Sequence, residues 1–366
     1  MNGLSLFSNV GIGEIYLEKT GINIVVANEL EQDRAKFYKN IYPKCDVIQG
    51  DIYENYDNII KKAKEKNCKF LIATPPCQGM SVAGKRDYTD SRNQLIIPVL
   101  NAIKDLDPDY VLIENVPQIL NLVINYNNVE DTVERTIERE FGKKYNINKN
   151  KIINAEDYEV PQNRKRAIIL LSKNTNWEFP EKSNKLVTVR DTIGNLPSVE
   201  AIIEGNKNYF KGNNEKIKKC QEVHKWHIPK EHAYRHVEIM MHTPTGHSAF
   251  ENEIYYPKKV DGTKVRGYNT TYKRMEWDKP APTITMANGV ISSQCNVHPG
   301  RKNKDGTYSD ARALTIYEIM KLFTIPDDWN IPDWANENFI RKVIGEGVPP
   351  LLIEKIVENI GGENNE

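Results

Sequence analysis

The chain has 366 residues, and its 50 Lys and Arg balance 50 Asp and Glu, so the formal net charge is zero. This length suits one large domain with a smaller one, because single cores seldom grow much past ~250 residues. No apolar run approaches the roughly 18 residues of a membrane span, and no basic region precedes an apolar leader. The sequence therefore predicts a soluble, cytoplasmic protein.

Short apolar runs alternate with helical patterns through the first half of the chain. The predicted strands, in chain order, are "GLSLFSNV", "INIVVANE", "CDVIQGDI", "KFLIAT", "DYVLIEN" and "RAIILLS". The predicted helices are "GIGEIYLEKTG", "EQDRAKFYKNIY", "DNIIKKAKEK" and "QLIIPVLNAIKDL". Such alternation is typical of a doubly wound, mostly parallel α/β sheet that binds ligands at the carboxyl ends of its strands.

The alternation stops at about residue 175. Residues 175–285 are rich in Asn, Lys, Tyr and His and contain only short apolar runs, which indicates an irregular second domain. We therefore predict a catalytic and cofactor-binding domain over 1–174 and a smaller domain over 175–285. Residues 286–366 would return to complete the first domain.

Charge is distributed unevenly between these parts. From Gly205 to Pro282 there are 15 Lys and Arg against 9 Asp and Glu, a surplus of 15 − 9 = +6, together with six of the seven histidines. This asymmetry is typical of a basic module that meets nucleic acid and is attached to a more acidic body. An ordinary Lys-rich surface is the alternative interpretation.

The cysteines and histidines give little reason to expect a metal. Five cysteines are scattered without a CxxC pair, so neither a zinc knuckle nor a disulfide framework is indicated, and one of them could be a reactive thiol. The stretch "HKWHIPKEHAYRH" invites a zinc interpretation, but it lacks cysteines and an acidic ligand set. We expect its histidines to make packing and polar contacts, and we predict no metal site.

Acidic residues at strand ends predict an adenosine cofactor. The first strand runs into "SNVGIG", where glycine lets the backbone approach a ligand. Glu29 follows the second strand, where a carboxylate can accept hydrogen bonds from two ribose hydroxyls, and Asp51 follows the third. No GxxxxGK[ST] pattern is present, which argues against a nucleoside triphosphate.

Three further segments supply reactive groups. In "ATPPCQGMSVAGK" two prolines fix the approach to Cys77, and the small, polar residues after it suit a loop that closes over a substrate. Glu114 ends an apolar strand, where partial desolvation would raise its pKa and suit a general acid. Arg164 and Arg166 are two apart in an extended segment, so both could project from one face and orient a carboxyl.

The ordered segments resemble the DNA cytosine-5 methyltransferases of bacterial restriction-modification systems. The resemblance covers nearly the whole chain, and "PPCQ", "ENV" and "QxRxR" in this order are its most specific part. The segments that carry it are "LFSNVGIGE", "NELEQDRAKFYKN", "GDI", "PPCQGMS", "DSRNQL", "IENV", "QNRKR", "WDKPAPTITM", "RALTIYEIMKLFTIP" and "GEGVPP".

The resemblance implies a fold, a reaction and partners. The larger domain would be Rossmann-like and bind S-adenosyl-L-methionine, and residues 175–285 would be a target recognition domain. Cys77 would attack C6 of a cytosine flipped out of double-stranded DNA, Glu114 would engage N3 and the exocyclic amine, and Arg164 and Arg166 would support them. We expect a monomer on DNA, associated with the nucleoid of a prokaryote, with a cognate restriction endonuclease as functional partner.

Individual binding residues follow from the matched motifs and from residue chemistry. The predicted cofactor-binding residues are Phe7, Ser8, Gly11, Glu29, Leu30, Asp51, Ile52 and Pro75. The predicted DNA-binding residues are Gln78, Ser81, Arg92, Lys264, Arg266, Asn269 and Arg274, with Asn288 and Gln294 as further candidates. Among these we expect Arg266 to read a base and Arg274 to contact a phosphate.

The chain departs from the family pattern in three places. Asn9 and Val10 stand in a first turn that is usually richer in glycine. The loop around the thiol has Thr74 and Met80 where Gly and Phe are commoner. The last motif has Glu346 where Asn is usual, which puts in doubt a direct role of this position near the methionine part of the cofactor.

Three other functions are compatible with parts of this pattern. A tRNA cytosine-5 methyltransferase could share the scaffold, although the long variable region favours readout of duplex DNA. An amino-methylating enzyme would need an aromatic platform where this chain has Cys77. A catalytically silent DNA-binding relative is disfavoured because the thiol, Glu114 and Arg166 are all present.

Overall fold

The computed structural model describes residues 1–76, 91–259 and 261–360. Cys77, Gln78, Ser81 and Met80 lie outside the described residues, as does the side chain of Arg92.

The strands are β1 Asn2–Leu6, β2 Asn23–Glu29, β3 Asp46–Gln49, β4 Phe70–Ala73, β5 Tyr110–Asn115, β6 Val123–Tyr126, β7 Val129–Thr132, β8 Asn146–Ile147, β9 Ile152–Asn154, β10 Lys165–Ser172, β11 Ile202–Ile203 and β12 Glu231–His232.

The helices separate these strands. The α-helices are α1 Gln32–Ile41, α2 Ile52–Glu65, α3 Ile96–Leu106, α4 Val133–Phe141, α5 Val189–Ile193, α6 Asn213–Val223, α7 Tyr234–Met241, α8 Ile316–Leu322, α9 Glu337–Glu346 and α10 Pro350–Glu358. Short 3-10 helices cover Ile12–Glu14, Leu17–Thr20, Ser91–Leu95, Pro117–Asn121, Ala155–Tyr158 and Ala249–Glu251. Across the described residues, no helix has the length and apolar character needed to cross a membrane.

The main sheet has the strand order β3-β2-β1-β4-β5-β10-β8, and β9 pairs with β10. Strands β1 to β5 are mutually parallel where they pair, whereas β10 runs antiparallel to β5. The chain leaves β1 towards β2 and β3, then crosses back through β4 to β5, so the strand order reverses beside β1. The predicted fold class, a doubly wound and mostly parallel α/β sheet, is confirmed.

Apolar side chains cover both faces of this sheet, as its alternating pattern requires. Along β4, Leu71 and Ala73 pack into a core that includes residues of α2 and α3. Phe70 and Ile72 point to the other face, where the core includes residues of α10. The last helix of the chain therefore covers a face of the first sheet, as expected for a returning segment.

One predicted helix is wrong. The segment "GIGEIYLEKTG" forms two short 3-10 helices, Ile12–Glu14 and Leu17–Thr20, and not a single helix. Glycine, β-branched and aromatic residues disfavour a helix, and Gly13, Ile15 and Tyr16 stand together here. The break lets the Glu14 side chain turn inwards, where it is buried.

A smaller apolar core lies in the basic, irregular part of the chain. It combines Ala201, Ile203, Val237, Met240, Ala249 and Tyr272 with Ile291, Val297 and Ala311. The smaller core thus includes side chains from beyond residue 285. The predicted domain boundaries stay a prediction.

A buried ion-pair network joins this region to the returning segment. Arg312 donates to both carboxylate oxygens of Glu318, at 2.8 and 2.9 Å, and to Asp310 Oδ1 at 2.9 Å. Its Nε also donates to the carbonyl oxygen of Val199 at 2.7 Å. The three charged side chains are at most 1% exposed, so removing the cation would leave two buried carboxylates without their main partner.

We expect Arg312→Met to lower the free energy of unfolding by about 3–5 kcal/mol, because breaking a buried pair leaves uncompensated charge. The matched control is Arg190→Met, since Arg190 pairs with Asp278 at 2.6 Å while the side chains are 53% and 77% exposed. That change should leave the free energy of unfolding almost unaltered, because solvent screens an exposed pair. Urea unfolding of both variants tests this, and equal losses would contradict a special role for the buried network.

Candidate active site and cofactor pocket

The carboxyl ends of β1 to β5 meet at one edge of the sheet. The register pairs Leu6 with Asn28 and with Ala73, and Ala73 in turn with Ile113. The turn after β1, the acid that ends β2 and the segment after β4 therefore lie side by side. This is the position at which open α/β sheets bind their ligands.

The turn after β1 is unusually tight. Phe7, Asn9 and Gly11 all have positive φ, at 57°, 49° and 73°. Asparagine tolerates this left-handed conformation, which explains how Asn9 replaces a glycine, whereas Phe7 there is an outlier. A Cβ on Gly11 would lie 2.4 Å from Tyr42 and 2.8 Å from Tyr38, so this position accepts only glycine.

Glu29, which ends β2, is held in place by this turn. Its Oε2 accepts the backbone N–H of Asn9 at 2.8 Å, and its Oε1 accepts that of Glu31 at 3.0 Å. The side chain is 5% exposed, and this burial raises the pKa of Glu29, while the two backbone donors and Arg34 oppose that shift. Each carboxylate oxygen keeps a lone pair for another donor, as ribose hydroxyls would require.

The other predicted cofactor residues have different environments. Asp51 caps α2, and its Oδ1 accepts the N–H of Tyr53 at 2.7 Å, which leaves Oδ2 for a ligand. Ser8, Ile52 and Pro75 are buried, Phe7 is half-buried, and Leu30 is 56% exposed. Sequence reasoning missed Asn28, whose amide donates to the carbonyls of Ile48 and Gly50 and so fixes the approach to Asp51.

A buried network behind the first turn was also missed. Glu14 accepts hydrogen bonds from Ser5 Oγ, at 2.6 Å, and from the Tyr38 hydroxyl. Tyr42 donates to the carbonyl oxygen of Gly11 at 2.7 Å. Burial raises the pKa of Glu14 to about 7, against the lowering effect of the two hydroxyl donors. The network reaches the turn through the hydrogen bond of Tyr42 to Gly11, whereas Glu29 holds it at Asn9.

Glu114 and Arg166 form the central pair of the site. In the antiparallel register of β5 and β10, Glu114 lies opposite Ile168, so Arg166 is its diagonal neighbour on the same face. Arg166 Nε lies 2.9 Å from Glu114 Oε1. Burial raises the pKa of Glu114, and the charges of Arg166 and Arg164 offset part of this effect. The result is a buried carboxyl that holds its proton more tightly than in water.

Arg164 does not share the role of Arg166, and this expectation is corrected. Its guanidinium is 1% exposed and donates to the carbonyl oxygens of Ile284, Gly345 and Gly347 at 3.1, 3.2 and 2.6 Å. A side chain committed to these carbonyls is a positioning residue that holds the return segment beside the site. It is not available to contact a substrate.

The segment that leads to Cys77 is held by hydrogen bonds from both sides at Thr74 and Pro75. Thr74 donates to the carbonyl oxygen of Phe7 at 2.9 Å, which gives a reason for threonine where glycine is commoner. Asn115 Nδ2 donates to the carbonyl oxygen of Pro75 at 2.9 Å, and its Oδ1 accepts the N–H of Val116. The "ENV" segment therefore holds both the acid and the chain that precedes the thiol.

The comparisons with known proteins cover the whole site. The family model for C-5 cytosine-specific DNA methylases matches residues 1–362. The chain is 49% identical to the Type II methyltransferase M1.HgaI of Avibacterium volantium, over 99% of this chain and 98% of the relative. The chain belongs to the C-5 cytosine-specific DNA methylase family. It is a DNA cytosine-5 methyltransferase.

Other relatives support the same family assignment. The methyltransferase is 28% identical to M1.HphI of Haemophilus parahaemolyticus, over 98% of this chain and 86% of the relative. Its fold matches the crystal structure of a prophage-encoded E. coli protein described as a DNA modification methyltransferase, with a TM-score of 0.68, 22% identity and 98% of each chain covered. The predicted family is confirmed, and members of this family generally use S-adenosylmethionine.

The DNA-binding residues predicted for the methyltransferase fall into two groups. Lys264, Arg266 and Asn269 are exposed, and Tyr268 beside them is 79% exposed. Arg274, by contrast, is fully buried and donates to the carbonyl oxygens of Met240 and His298 at 2.8 and 2.7 Å. The expectation that Arg274 contacts a phosphate is therefore wrong, because its donors are already used inside the protein.

Of the two further candidates, Gln294 is exposed, whereas Asn288 makes its contacts inside the protein, as do two of the histidines. Asn288 is 2% exposed and donates to the carbonyl oxygens of Thr285 and Arg341, so it too is removed from the DNA-contacting set. His227 contacts Thr315 Oγ1 at 3.0 Å, and His232 Nε2 accepts the N–H of Ala313 at 3.2 Å. Within the described ranges, no group of three His, Cys, Asp or Glu side chains could hold a metal.

The buried carboxyl of Glu14 predicts a pH dependence of stability. Its folded-state pKa of about 7 exceeds the ordinary value of 4.5, so the folded chain binds this proton more tightly than the unfolded chain. The stabilisation is complete below pH 4.5 and is lost as the pH rises to about 7. Glu14→Gln does not titrate, and relative to it the wild type should lose on the order of 3 kcal/mol between pH 5 and 8.

Chemical denaturation of both proteins across this pH range measures the difference. Glu65→Gln, at a side chain that is 61% exposed, is the matched control and should follow the wild type at every pH. Parallel curves for the wild type and Glu14→Gln would show that the Glu14 carboxyl does not titrate in this range.

Proposed function

We propose that the enzyme methylates C5 of a flipped cytosine in duplex DNA through a covalent adduct between Cys77 and C6. The observation that carries this mechanism is the buried Glu114–Arg166 pair at 2.9 Å. It lies next to Asn115, which holds the chain two residues before the thiol. A carboxyl with a raised pKa, and a thiol that follows the neighbouring strand in the sequence, are the two groups that activation of a cytosine ring needs.

The cofactor pocket fits S-adenosylmethionine. Glu29 has two buried oxygens at a strand end for the ribose hydroxyls, Asp51 Oδ2 is left for the adenine amine, and the Gly11 turn lets the backbone come close. When bound, the cofactor supplies an electrophilic methyl group. The residues that would hold it are Phe7, Ser8, Gly11, Glu29 and Asp51, with Ile52 and Pro75 as apolar walls.

The residues of the protein activate the cytosine base by covalent attack and by proton transfer. The Cys77 thiolate forms a bond to C6 while Glu114 gives its proton to N3, so the ring becomes electron-rich at C5. Arg166 orients the carboxyl and stabilises it when it is ionised. After C5 is methylated, the C5 proton passes to solvent water, the thiolate leaves C6 so that the aromatic ring is restored, and N3 returns its proton to Glu114.

The remaining cysteines support Cys77 as the nucleophile. Burial raises the pKa of Cys45 to about 12 and those of Cys68 and Cys220 to about 11, and it also raises the pKa of Cys295. None of these four thiols is therefore favoured as a thiolate near neutral pH. Cys77 is the cysteine that follows a fixed strand-end segment.

Double-stranded DNA is the proposed substrate, and the exposed loop with Lys264, Arg266 and Asn269 is the proposed reader of its sequence. The similarity to Type II methyltransferases supports a restriction-modification system in the cytoplasm, with a cognate endonuclease as functional partner. We propose that one copy of the chain acts on each site. Gln78, Ser81 and Arg92 stay proposals for contacts around the flipped base.

We expect Cys77→Ser to abolish methyl transfer, because the alkoxide is not available near neutral pH. Glu114→Gln should reduce the rate by at least about 100-fold, since a general acid contributes roughly 10²–10⁴-fold. Transfer of a labelled methyl group to duplex DNA measures both. Cys295→Ser is the matched control, because the same change at a partly buried thiol of the returning segment should leave the rate unaltered.

A duplex with 5-fluorocytosine at the target should trap the wild type as a denaturation-resistant adduct, because fluorine cannot leave as a proton does. Cys77→Ser should form none. More than about a tenth of wild-type activity in Cys77→Ser would remove this thiol from the mechanism. Labelling of tRNA and not of duplex DNA would favour the tRNA enzyme, and binding of DNA without any transfer would favour a silent relative.

We expect Arg266→Ala to lose about 1–3 kcal/mol of discrimination at one base pair, as an arginine bidentate to guanine does. Binding to the true site and to its single-base variants, at several salt concentrations, measures this. Lys61→Ala, at an exposed lysine on α2, removes the same charge away from the recognition region and should change neither specificity nor salt slope. A uniform loss on all sequences would make Arg266 a phosphate contact.

A further inference from the structure

A pocket of about 410 Å³ lies where α5 meets the loop 244–247 and the turn 300–302. Its volume is within the range of ligand-binding pockets, which is roughly 300–1,000 Å³. The charged and aromatic residues that line it are Arg190, His247, Trp277, Arg301, Lys302 and Tyr308. None of these side chains belongs to the cofactor pocket or to the Glu114–Arg166 pair, so the pocket is a separate site.

The lining of this pocket is cationic. It contains two arginines and one lysine, and no carboxylate is among the described residues that line it. Two acids beside it are already bound, because Asp278 pairs with Arg190 and Glu251 pairs with His247, each at 2.6 Å. A concave surface whose charges have one sign concentrates ions of the opposite sign. The pocket therefore favours an anion.

Trp277 holds two of the cations in place. The Cζ atoms of Arg190 and Arg301 lie over its ring, at 5.5 and 5.0 Å from the ring centroid. The indole is 7% exposed, and its N–H donates to the carbonyl oxygen of Gly300 at 2.8 Å. A guanidinium that stacks on an aromatic ring uses its flat face, so the N–H groups at its edge stay available.

Several donors of these cations have no partner inside the protein. Arg190 gives Nε and Nη2 to Asp278 at 2.6 and 3.1 Å, which leaves Nη1. Arg301 gives Nη2 to the carbonyl oxygen of Gly194 at 2.6 Å, which leaves Nε and Nη1. The Lys302 ammonium makes no hydrogen bond or ion pair with any described residue. The pocket thus combines positive charge with unused N–H donors.

The turn that carries two of the cations is fixed from below. Gly300 has a φ of 68°, and a Cβ on it would lie 2.4 Å from Nη1 of the buried Arg274. Two residues later, Lys302 pairs with Tyr308 in an antiparallel bridge. Arg301 and Lys302 therefore leave a backbone whose path is set before any ligand binds, which lowers the entropy cost of binding.

We propose that this pocket binds a phosphate group, and that the phosphate belongs to the backbone of the DNA. Guanidinium and ammonium donors are the side-chain groups that proteins use most for phosphate oxygens. The inference rests on the proposed DNA substrate only for the source of the phosphate, and it adds a contact site that the proposed function does not include. A free phosphate or pyrophosphate ion is the other source of the same chemistry.

Lys302→Gln tests the site without removing a contact inside the described protein. Lys304→Gln is the matched control, because Lys304 is an equally charged, exposed residue of the same turn that does not line the pocket. We expect the slope of log affinity for duplex DNA against log salt to become shallower by about 0.9 in Lys302→Gln, as for one lost phosphate contact. The slope of Lys304→Gln should equal that of the wild type.

The loss in Lys302→Gln should be the same on specific and non-specific duplexes, because a phosphate carries no sequence information. A loss confined to the specific site would make Lys302 a base contact and overturn the inference. Equal slopes in Lys302→Gln and Lys304→Gln would exclude the DNA backbone as the ligand.

Calorimetric titration of the DNA-free enzyme with pyrophosphate separates the two sources. Weaker pyrophosphate binding in Lys302→Gln alone, with an unchanged DNA slope, would support the phosphate site and reject DNA as its source. Equal DNA slopes together with equal pyrophosphate affinities in both variants would overturn the site altogether. A wild type that binds pyrophosphate but no duplex would overturn the proposed DNA substrate and not this pocket.

Discussion

The guanidinium of Arg164 is the point at which three distant stretches of the chain meet. It leaves the start of β10 and binds carbonyl oxygens of Ile284, Gly345 and Gly347, which are 120 to 183 residues further along the chain. A buried cation with several carbonyl partners has little freedom to shift. The position of the return segment, and with it α10 on the sheet, is thereby tied to the strand that also supplies Arg166.

This arrangement couples the scaffold to the chemistry through electrostatics. Burial lowers the pKa of Arg164 and raises that of Glu114, and each charge favours the ionised form of the other. The carboxyl would hold its proton even more tightly without the two arginines. Burial therefore favours the protonated form of Glu114, whereas the two arginines favour its ionised form.

The sequence predicts position well for side chains at the ends of strands. Glu29 and Glu114 end apolar runs, and the pairing of Arg166 with Glu114 follows from a strand that runs back beside "YVLIEN". The local sequence pattern did not predict burial where residues distant in the chain make the contacts. Arg266 and Arg274 are both basic residues of one segment, but Arg274 is buried by carbonyl groups 24 to 36 residues away, which no local pattern reveals.

The same limit explains the missed network behind the first turn. Glu14 follows two glycines and appears as a surface acid of a helix, but its partner Tyr38 is 24 residues away. The single helix predicted for "GIGEIYLEKTG" is wrong because its glycine and aromatic residues disfavour a helix. The two short 3-10 helices that form instead are compatible with the buried contacts of Glu14. The departures at Asn9 and Glu346 were visible in the sequence, whereas the positive φ of Asn9 and the ion pair of Glu346 with Arg34 needed the fold.

The composition of the smaller core has a consequence for how new specificities arise. Its apolar side chains run from Ala201 to Ala311, and short bridges pair Thr271 with Gln294 and Arg274 with Val297. A recombination event that exchanges only 175–285 would join half of one core to half of another. Crossovers that preserve folding should instead fall after Ala311, so the unit inherited when such an enzyme acquires a new target would be longer than the segment proposed to read DNA.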